Sequence, residues 1–221
     1  LPTATQYARN AMFAGLMPEE ILKIYPDLWV FDEEDSGKNL NEEELLRRHL
    51  NRAGIKSSFH YEKVVHQKKG KKIIESFSDY LNYDLNVIVY NFVDMLSHAR
   101  TDMELIQELT NNESAYRSLT ASWFQHSYIL ELLKKLSGEN VKVILTTDHG
   151  SVRVDNPVKV VGDKKTSSNL RYKVGRNLNY NKSDVYEITD PSLAHLPMTN
   201  ISSKFIFATG TDFLVYPNNY N

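Results

Sequence analysis

Val141-Lys142-Val143-Ile144-Leu145-Thr146-Thr147-Asp148-His149-Gly150 is the stretch on which the reading of this chain turns. A continuous β-branched and apolar run of this length reads as a strand, and it delivers a carboxylate, an imidazole and a glycine in succession at its end. In α/β sheets the chemistry gathers in the crevice beyond the carboxyl ends of the strands. Asp148 and His149 are therefore expected at the mouth of a sheet, where an oxygen and a nitrogen donor suit a divalent metal. Gly150 lets the backbone turn sharply with little bulk nearby. Taken alone, the same residues could be a helix cap and a surface histidine.

Upstream, residues 85–92 read as a buried strand and residues 59–65 as an earlier one, with a helix expected over 72–81. Apolar spacing predicts helices over 102–109 and 114–137, the second ended by Gly138 and burying Leu119, Trp123, Tyr128, Leu132 and Leu136. Nearer the N-terminus, residues 6–15 form a helix closed by Gly15, and Asn41 with Glu44 announces another that runs to about Gly54. Helices alternating with strands in this order imply βαβ units. The expected fold is α/β, a mainly parallel sheet with helices on both faces. After His149 the pattern loosens into a polar basic insertion or lid over 155–184, carrying Lys159, Lys164, Lys165, Arg171, Lys173 and Arg176. Residues 204–209 and 213–216 then read as an antiparallel hairpin turning at Gly210-Thr211-Asp212.

The bulk properties set limits. The 221 residues suffice for one large α/β domain, and 41% hydrophobic with 24% charged residues is an ordinary globular composition. A net charge of −2 gives no global drive toward nucleic acid or anionic membrane. With no cysteine, any metal must be held by oxygen and imidazole ligands, and a reducing, cytoplasmic setting is expected. No apolar stretch reaches the length of a spanning helix, so no membrane partner is expected. The chain opens on Leu1 and closes on the polar run Pro217-Asn218-Asn219-Tyr220-Asn221, and it reads as a domain truncated at both ends.

Two further clusters join Asp148 and His149. Asp94-Met95-Leu96-Ser97-His98 follows the strand ending near Phe92. In a helix starting at Asp94, a carboxylate and an imidazole at i and i+4 share one face and can grip one ion. Thr5, in Pro2-Thr3-Ala4-Thr5, sits at a helix N-terminus, where free amides and the helix dipole favour an alkoxide or a bound phosphate. A threonine hydroxyl needs a base or a metal to act as a nucleophile. No catalytic triad is evident, which leaves metal activation. Without the two Asp/His clusters, Thr5 would read as an N-cap and Asp94 as another.

The order of these three clusters is similar to that of the alkaline phosphatase superfamily. More closely, residues 1–10, residues 93–103 and residues 146–151 resemble the PglZ domain of PorX-type response regulators, which are linked to type IX secretion. The resemblance covers nearly all of residues 1–221. It implies that Thr5 is the nucleophile that forms a phospho-enzyme, with Thr3 the alternative if the motif is shifted. It further implies two zinc ions, or manganese in their place: one held by Thr5, Asp148 and His149, the other by Asp94 and His98. A further Asp and His of the family's site would lie beyond the two ends, and His195 is the weaker internal candidate for that imidazole.

The expected activity is thus a metal-dependent phosphoesterase, favouring diesters or nucleotides if the basic insertion touches substrate, as the output domain of a two-component response regulator. The truncated piece itself would be inactive. The rival is a signalling module that binds a protein partner on the same fold without turnover. A homodimer is compatible with either. Arg100 is a candidate phosphate contact, while His49, His60, His66 and His126 carry no partner pattern.

Overall fold

The computed structural model describes residues 1–32, 34, 37, 39–110, 112–163, 166–198 and 202–216, with the side chains at 100–102 and 107 left aside. The helices in chain order are α1 (Thr5–Ala14), α2 (Pro18–Ile24), α3 (Glu42–Arg52), α4 (Gln67–Glu75), α5 (Phe77–Tyr80), α6 (Phe92–Asp102), α7 (Glu104–Leu109), α8 (Glu113–Gln125) and α9 (Tyr128–Leu136). The strands are β1 (Phe59–Val64), β2 (Leu85–Tyr90), β3 (Asn156–Lys159), β4 (Tyr172–Gly175), β5 (Val185–Ile188), β6 (Lys204–Ala208) and β7 (Asp212–Val215). They fall into two compact units, Leu1–Ile55 with Thr146–Asn221, and Lys56–Leu145. No helix among the described residues is long and apolar enough to cross a membrane.

In the first unit α1 ends where Gly15 takes φ +58, a left-handed conformation that glycine adopts without strain. The ring of His49 from α3 lies 2.4 Å from where a Cβ on Gly15 would sit, so α1 and α3 pack closely at this point. Tyr7 is the aromatic centre of the unit, with ring centroids of Trp29, Tyr172 and Phe205 at 5.6, 5.6 and 6.0 Å in edge-on contacts. Its hydroxyl and that of Tyr172 both donate to the Asp32 carboxylate, the latter at 2.7 Å. One carboxylate thereby joins chain segments 140 residues apart. Burial first and the Asp32 charge second push both phenols well above their ordinary range.

The strands of this unit correct several expectations. β6 and β7 exist, but they do not pair with each other as a hairpin. β6 lies between β4 and β5 in an antiparallel three-stranded sheet, while β7 pairs in parallel with β3. Val158, Val160, Val185, Ile206, Ala208 and Leu214 form one core shared by these strands and the residues beside them. The stretch 155–184 contributes Val158 of β3 and Val160 to that core, with Leu178 and Tyr180 packed against it, and its β4 pairs with β6. Of its basic residues, Lys173 is 1% exposed and Arg171 donates to the Asp212 carbonyl, while Lys164 and Lys165 lie outside the described residues.

In the second unit β1 and β2 pair in parallel, from Phe59 opposite Leu85 to Val64 opposite Tyr90. Val64, Ile73, Ile74 and Leu132 make the core between this pair and helices α4 and α9. The helix expected over 72–81 is instead α4 and α5, separated at Ser76. The one expected over 114–137 is α8 and α9, because Ser127 accepts the Leu130 N–H and starts a new helix. Asn41 does not form the expected capping box on α3; its side-chain amide donates to the Leu28 carbonyl instead.

The largest departure is the stretch first quoted. Residues 141–147 are not a strand: among the described residues no neighbouring strand supplies a hydrogen-bond ladder, and Ile144 and Leu145 are 77% and 73% exposed. Strand propensity alone does not hold a strand without a paired, covered neighbour. The described strands accordingly form three small sheets, two parallel pairs and an antiparallel triplet, in place of one mainly parallel sheet.

Lys173 yields a measurable consequence. Its ammonium lies 4.8 Å from the centre of the Tyr216 ring, and burial lowers its pKa to about 8. Because this folded value is below that of the unfolded chain, the unfolded state binds more protons between the two values. Stability must therefore rise as pH climbs from about 8 toward the ordinary lysine range. Lys173→Met is expected to stabilise the fold at neutral pH by up to about 3 kcal/mol, since each pKa unit is worth about 1.4 kcal/mol. The gain should disappear above the ordinary lysine pKa. Denaturant melts of both proteins across this range check it, and a pH-independent difference would refute it.

Candidate active site

The helix that carries Thr5 begins with Ala4 as its N-cap, in extended conformation and with no side-chain cap bond. Thr5 is the first helical residue, so its hydroxyl is not spent on capping. The Tyr7 and Ala8 N–H groups both return to the Ala4 carbonyl, at 3.0 and 2.9 Å. The Thr5 hydroxyl instead lies 3.3 Å from Nε2 of His149, 144 residues away in sequence.

The tautomer of His149 follows from its other nitrogen. Nδ1 is 3.1 Å from the Gly150 carbonyl, which can only accept, so in the neutral ring this contact puts the proton on Nδ1. Nε2 is then an unprotonated lone pair aimed at Thr5. An imidazole oriented in this way through its second nitrogen is the usual arrangement of a metal-binding histidine. Asp148 Oδ2 lies 3.7 Å from the same Nε2. Thr5, Asp148 and His149, expected together from the sequence, do meet in the first unit.

Asp148 is held from behind by a residue to which the sequence pattern assigned no role. Arg9 donates through Nε to Asp148 Oδ2 at 2.8 Å and through Nη1 to Glu42 Oε1 at 3.1 Å. The three side chains are 8%, 9% and 2% exposed. Burial alone would lower the proton affinity of the guanidinium, but the Asp148 and Glu42 carboxylates outweigh it and raise Arg9 above its ordinary value. Helical spacing could have pointed to Arg9, which lies one turn after Thr5 on the same face of α1. Glu42 was legible only as part of a charged helix face.

In the second unit α6 starts at Phe92, two residues before the expected position, so Asp94 sits in its first turn and is not the N-cap. The i, i+4 geometry survives: Asp94 Oδ1 and His98 Nε2 are 3.7 Å apart, His98 being 77% exposed. The pair follows β2 directly, and the Asn91 N–H bonds the Val64 carbonyl at the end of β1. The expected placement beyond the carboxyl ends of parallel strands is therefore observed for these two residues. Phe92 and Trp123 stack at 4.1 Å beside a 60 Å³ cavity lined also by Tyr90, Tyr128 and His126. The Arg100 side chain lies outside the described ones.

His195 has a structural role. It takes φ +53 at the end of a short 3₁₀ turn, its carbonyl accepts the Glu19 N–H, and its ring lies 3.9 Å from the Glu19 carboxylate. His49 similarly bonds the Phe13 carbonyl.

Zinc bonded at roughly 2.0–2.2 Å in a tetrahedron places neighbouring donors roughly 3.3–3.6 Å apart. The Thr5–His149 separation of 3.3 Å falls within that spacing, and the 3.7 Å of His149–Asp148 and of Asp94–His98 lies just beyond it. Among the described residues, no group of three or more His, Cys, Asp or Glu side chains could hold a metal ion. Each pair by itself thus supplies only part of a ligand set, with the Thr5 hydroxyl a third oxygen donor in the first.

The chain belongs to the PglZ family: the model of the BREX system PglZ alkaline phosphatase-like domain matches residues 1–221. No curated protein matches the chain.

The tautomer of His149 can be tested by ¹⁵N-resolved imidazole spectra of the neutral ring. Nδ1 is expected to be the protonated nitrogen, and added zinc should shift Nε2 while leaving Nδ1 protonated. A spectrum showing the Nε2–H form would exclude this geometry.

Proposed function

We propose that this domain hydrolyses phosphate esters through a phosphothreonine intermediate at Thr5. The single observation that carries the reading is the Thr5 hydroxyl, free of any capping role and 3.3 Å from the Nε2 lone pair of His149. Membership of an alkaline phosphatase-like family gives the reaction class. The first-turn amides of α1 suit the phosphoryl oxygens. The Thr5 oxygen attacks phosphorus in line with the departing ester oxygen, which leaves with a proton. Water then cleaves the phosphothreonine and restores the hydroxyl.

Thr5, Asp148 and His149 would hold one zinc ion, or manganese in its place, and Asp94 with His98 another. An ion at Thr5, Asp148 and His149 would lower the proton affinity of the hydroxyl and offset charge on the phosphoryl oxygens. Lys159 and Arg176, which remain exposed, support a preference for diesters or nucleotides over small monoesters. The likeness of residues 1–10, 93–103 and 146–151 to the domain of PorX-type regulators supports a role as the output part of a response regulator.

In the full-length protein, Thr5→Ala should lower hydrolysis of bis-p-nitrophenyl phosphate by at least about a thousandfold, while Thr5→Ser keeps a measurable fraction. Acid-quenched wild-type protein should yield a peptide phosphorylated at Thr5. Undiminished turnover by Thr5→Ala would reject the proposal. Absence of turnover in the wild type with intact binding of a protein partner would favour a non-catalytic signalling module.

A further inference from the structure

We infer that Arg9 is a positioning residue of this site: backed by Glu42, it sets the orientation of the Asp148 carboxylate and thereby the affinity of the Thr5, Asp148 and His149 donors for a divalent cation. The inference rests on the metal-binding reading of those three residues and adds two residues outside the donor set.

The geometry supports it in three ways. First, Thr5 and Arg9 lie one turn apart on α1, so a single rigid helix carries the hydroxyl and the group that holds the carboxylate. Their relative placement does not depend on a loop. Second, the guanidinium uses separate N–H groups for separate carboxylates: Nε for Asp148 at 2.8 Å and Nη1 for Glu42 at 3.1 Å. A planar fork held at two points cannot rotate freely, and it transmits that rigidity to Asp148. Third, Glu42 is the first residue of α3, where the positive end of the helix dipole stabilises its charge, and it is 1% exposed. The support for Arg9 is therefore anchored in a second helix.

The oxygen that Arg9 holds is also the one 3.7 Å from His149 Nε2. A carboxylate oxygen has two lone pairs, so it can accept from Arg9 and still present the other to a cation beside the imidazole. Without Arg9 the carboxylate could turn away from His149 at no cost in hydrogen bonding. With Arg9 present, turning away breaks a charge-assisted bond in a nearly dry environment. Arg9 thus fixes the ligand before any ion arrives.

The test is zinc affinity, measured on the full chain by competition with a chromophoric chelator, for the wild type, Arg9→Lys, Glu42→Gln and the double variant. Thermal melts accompany each to establish that it is folded. Lysine keeps the charge but loses the fork, so Arg9→Lys should weaken zinc binding about 10- to 100-fold, the usual cost of losing a partner behind a ligand. Glu42→Gln should weaken it about 3- to 10-fold in the wild-type background and not at all in the Arg9→Lys background, because Glu42 acts only through Arg9. Unchanged affinity in folded Arg9→Lys, or a Glu42→Gln effect that adds fully to it, overturns the inference while leaving the metal site intact. Failure of the folded wild type to bind zinc overturns the metal reading and this inference with it. If Arg9→Lys does not fold, the Glu42→Gln comparison decides: unchanged affinity there overturns the inference.

Discussion

A guanidinium held between two buried carboxylates is the constraint around which the first unit is arranged. A charge removed from water costs several kcal/mol unless it is paired and hydrogen-bonded. Arg9, Glu42 and Asp148 therefore have few arrangements open to them. Meeting that requirement brings α1 beside the start of α3 and ties both to residue 148, 139 positions along the chain from Arg9. The candidate nucleophile then follows from helix geometry, because Thr5 rides on the helix that Arg9 has already placed.

Asp32 works on the same principle with neutral donors. Tyr7 and Tyr172 direct their hydroxyls at its two oxygens while their rings pack edge to face. Tyr7 thus links the polar anchor to the apolar core: it is 2% exposed, one residue pair away from Arg9 on α1, and in contact with Trp29 and Phe205. Polar pairing supplies the specificity of the join between early and late chain segments, and aromatic packing supplies most of its burial.

The site was more legible in the sequence than the sheet. Thr5, Asp148 and His149 could be grouped because residues 1–10 and 146–151 resemble PglZ domains. Asp94 and His98 could be paired because helical periodicity is local, and a helix displaced by two residues still brings i and i+4 together. Arg9 escaped notice because its partners lie 33 and 139 residues away, and no local period encodes such distances. The strands failed for a related reason. Residues 204–208 and 212–215 were correctly seen as extended, but their pairing depends on competition among distant strands, and a short turn between them does not decide it. The break at His126–Ser127 depended on one serine hydroxyl reaching the Leu130 N–H, a contact that apolar spacing overlooks.

The exposed run at 141–145 has a different kind of consequence. Its β-branched, apolar residues have no strand partner among the described residues, and Lys142 is its one charged side chain. Such a segment is a template for intermolecular strand addition, and a lone lysine is the type of gatekeeper that natural edges use against it. The residues that lead directly into the Asp-His pair are therefore also a surface on which another strand could add, with Lys142 the charge that opposes it.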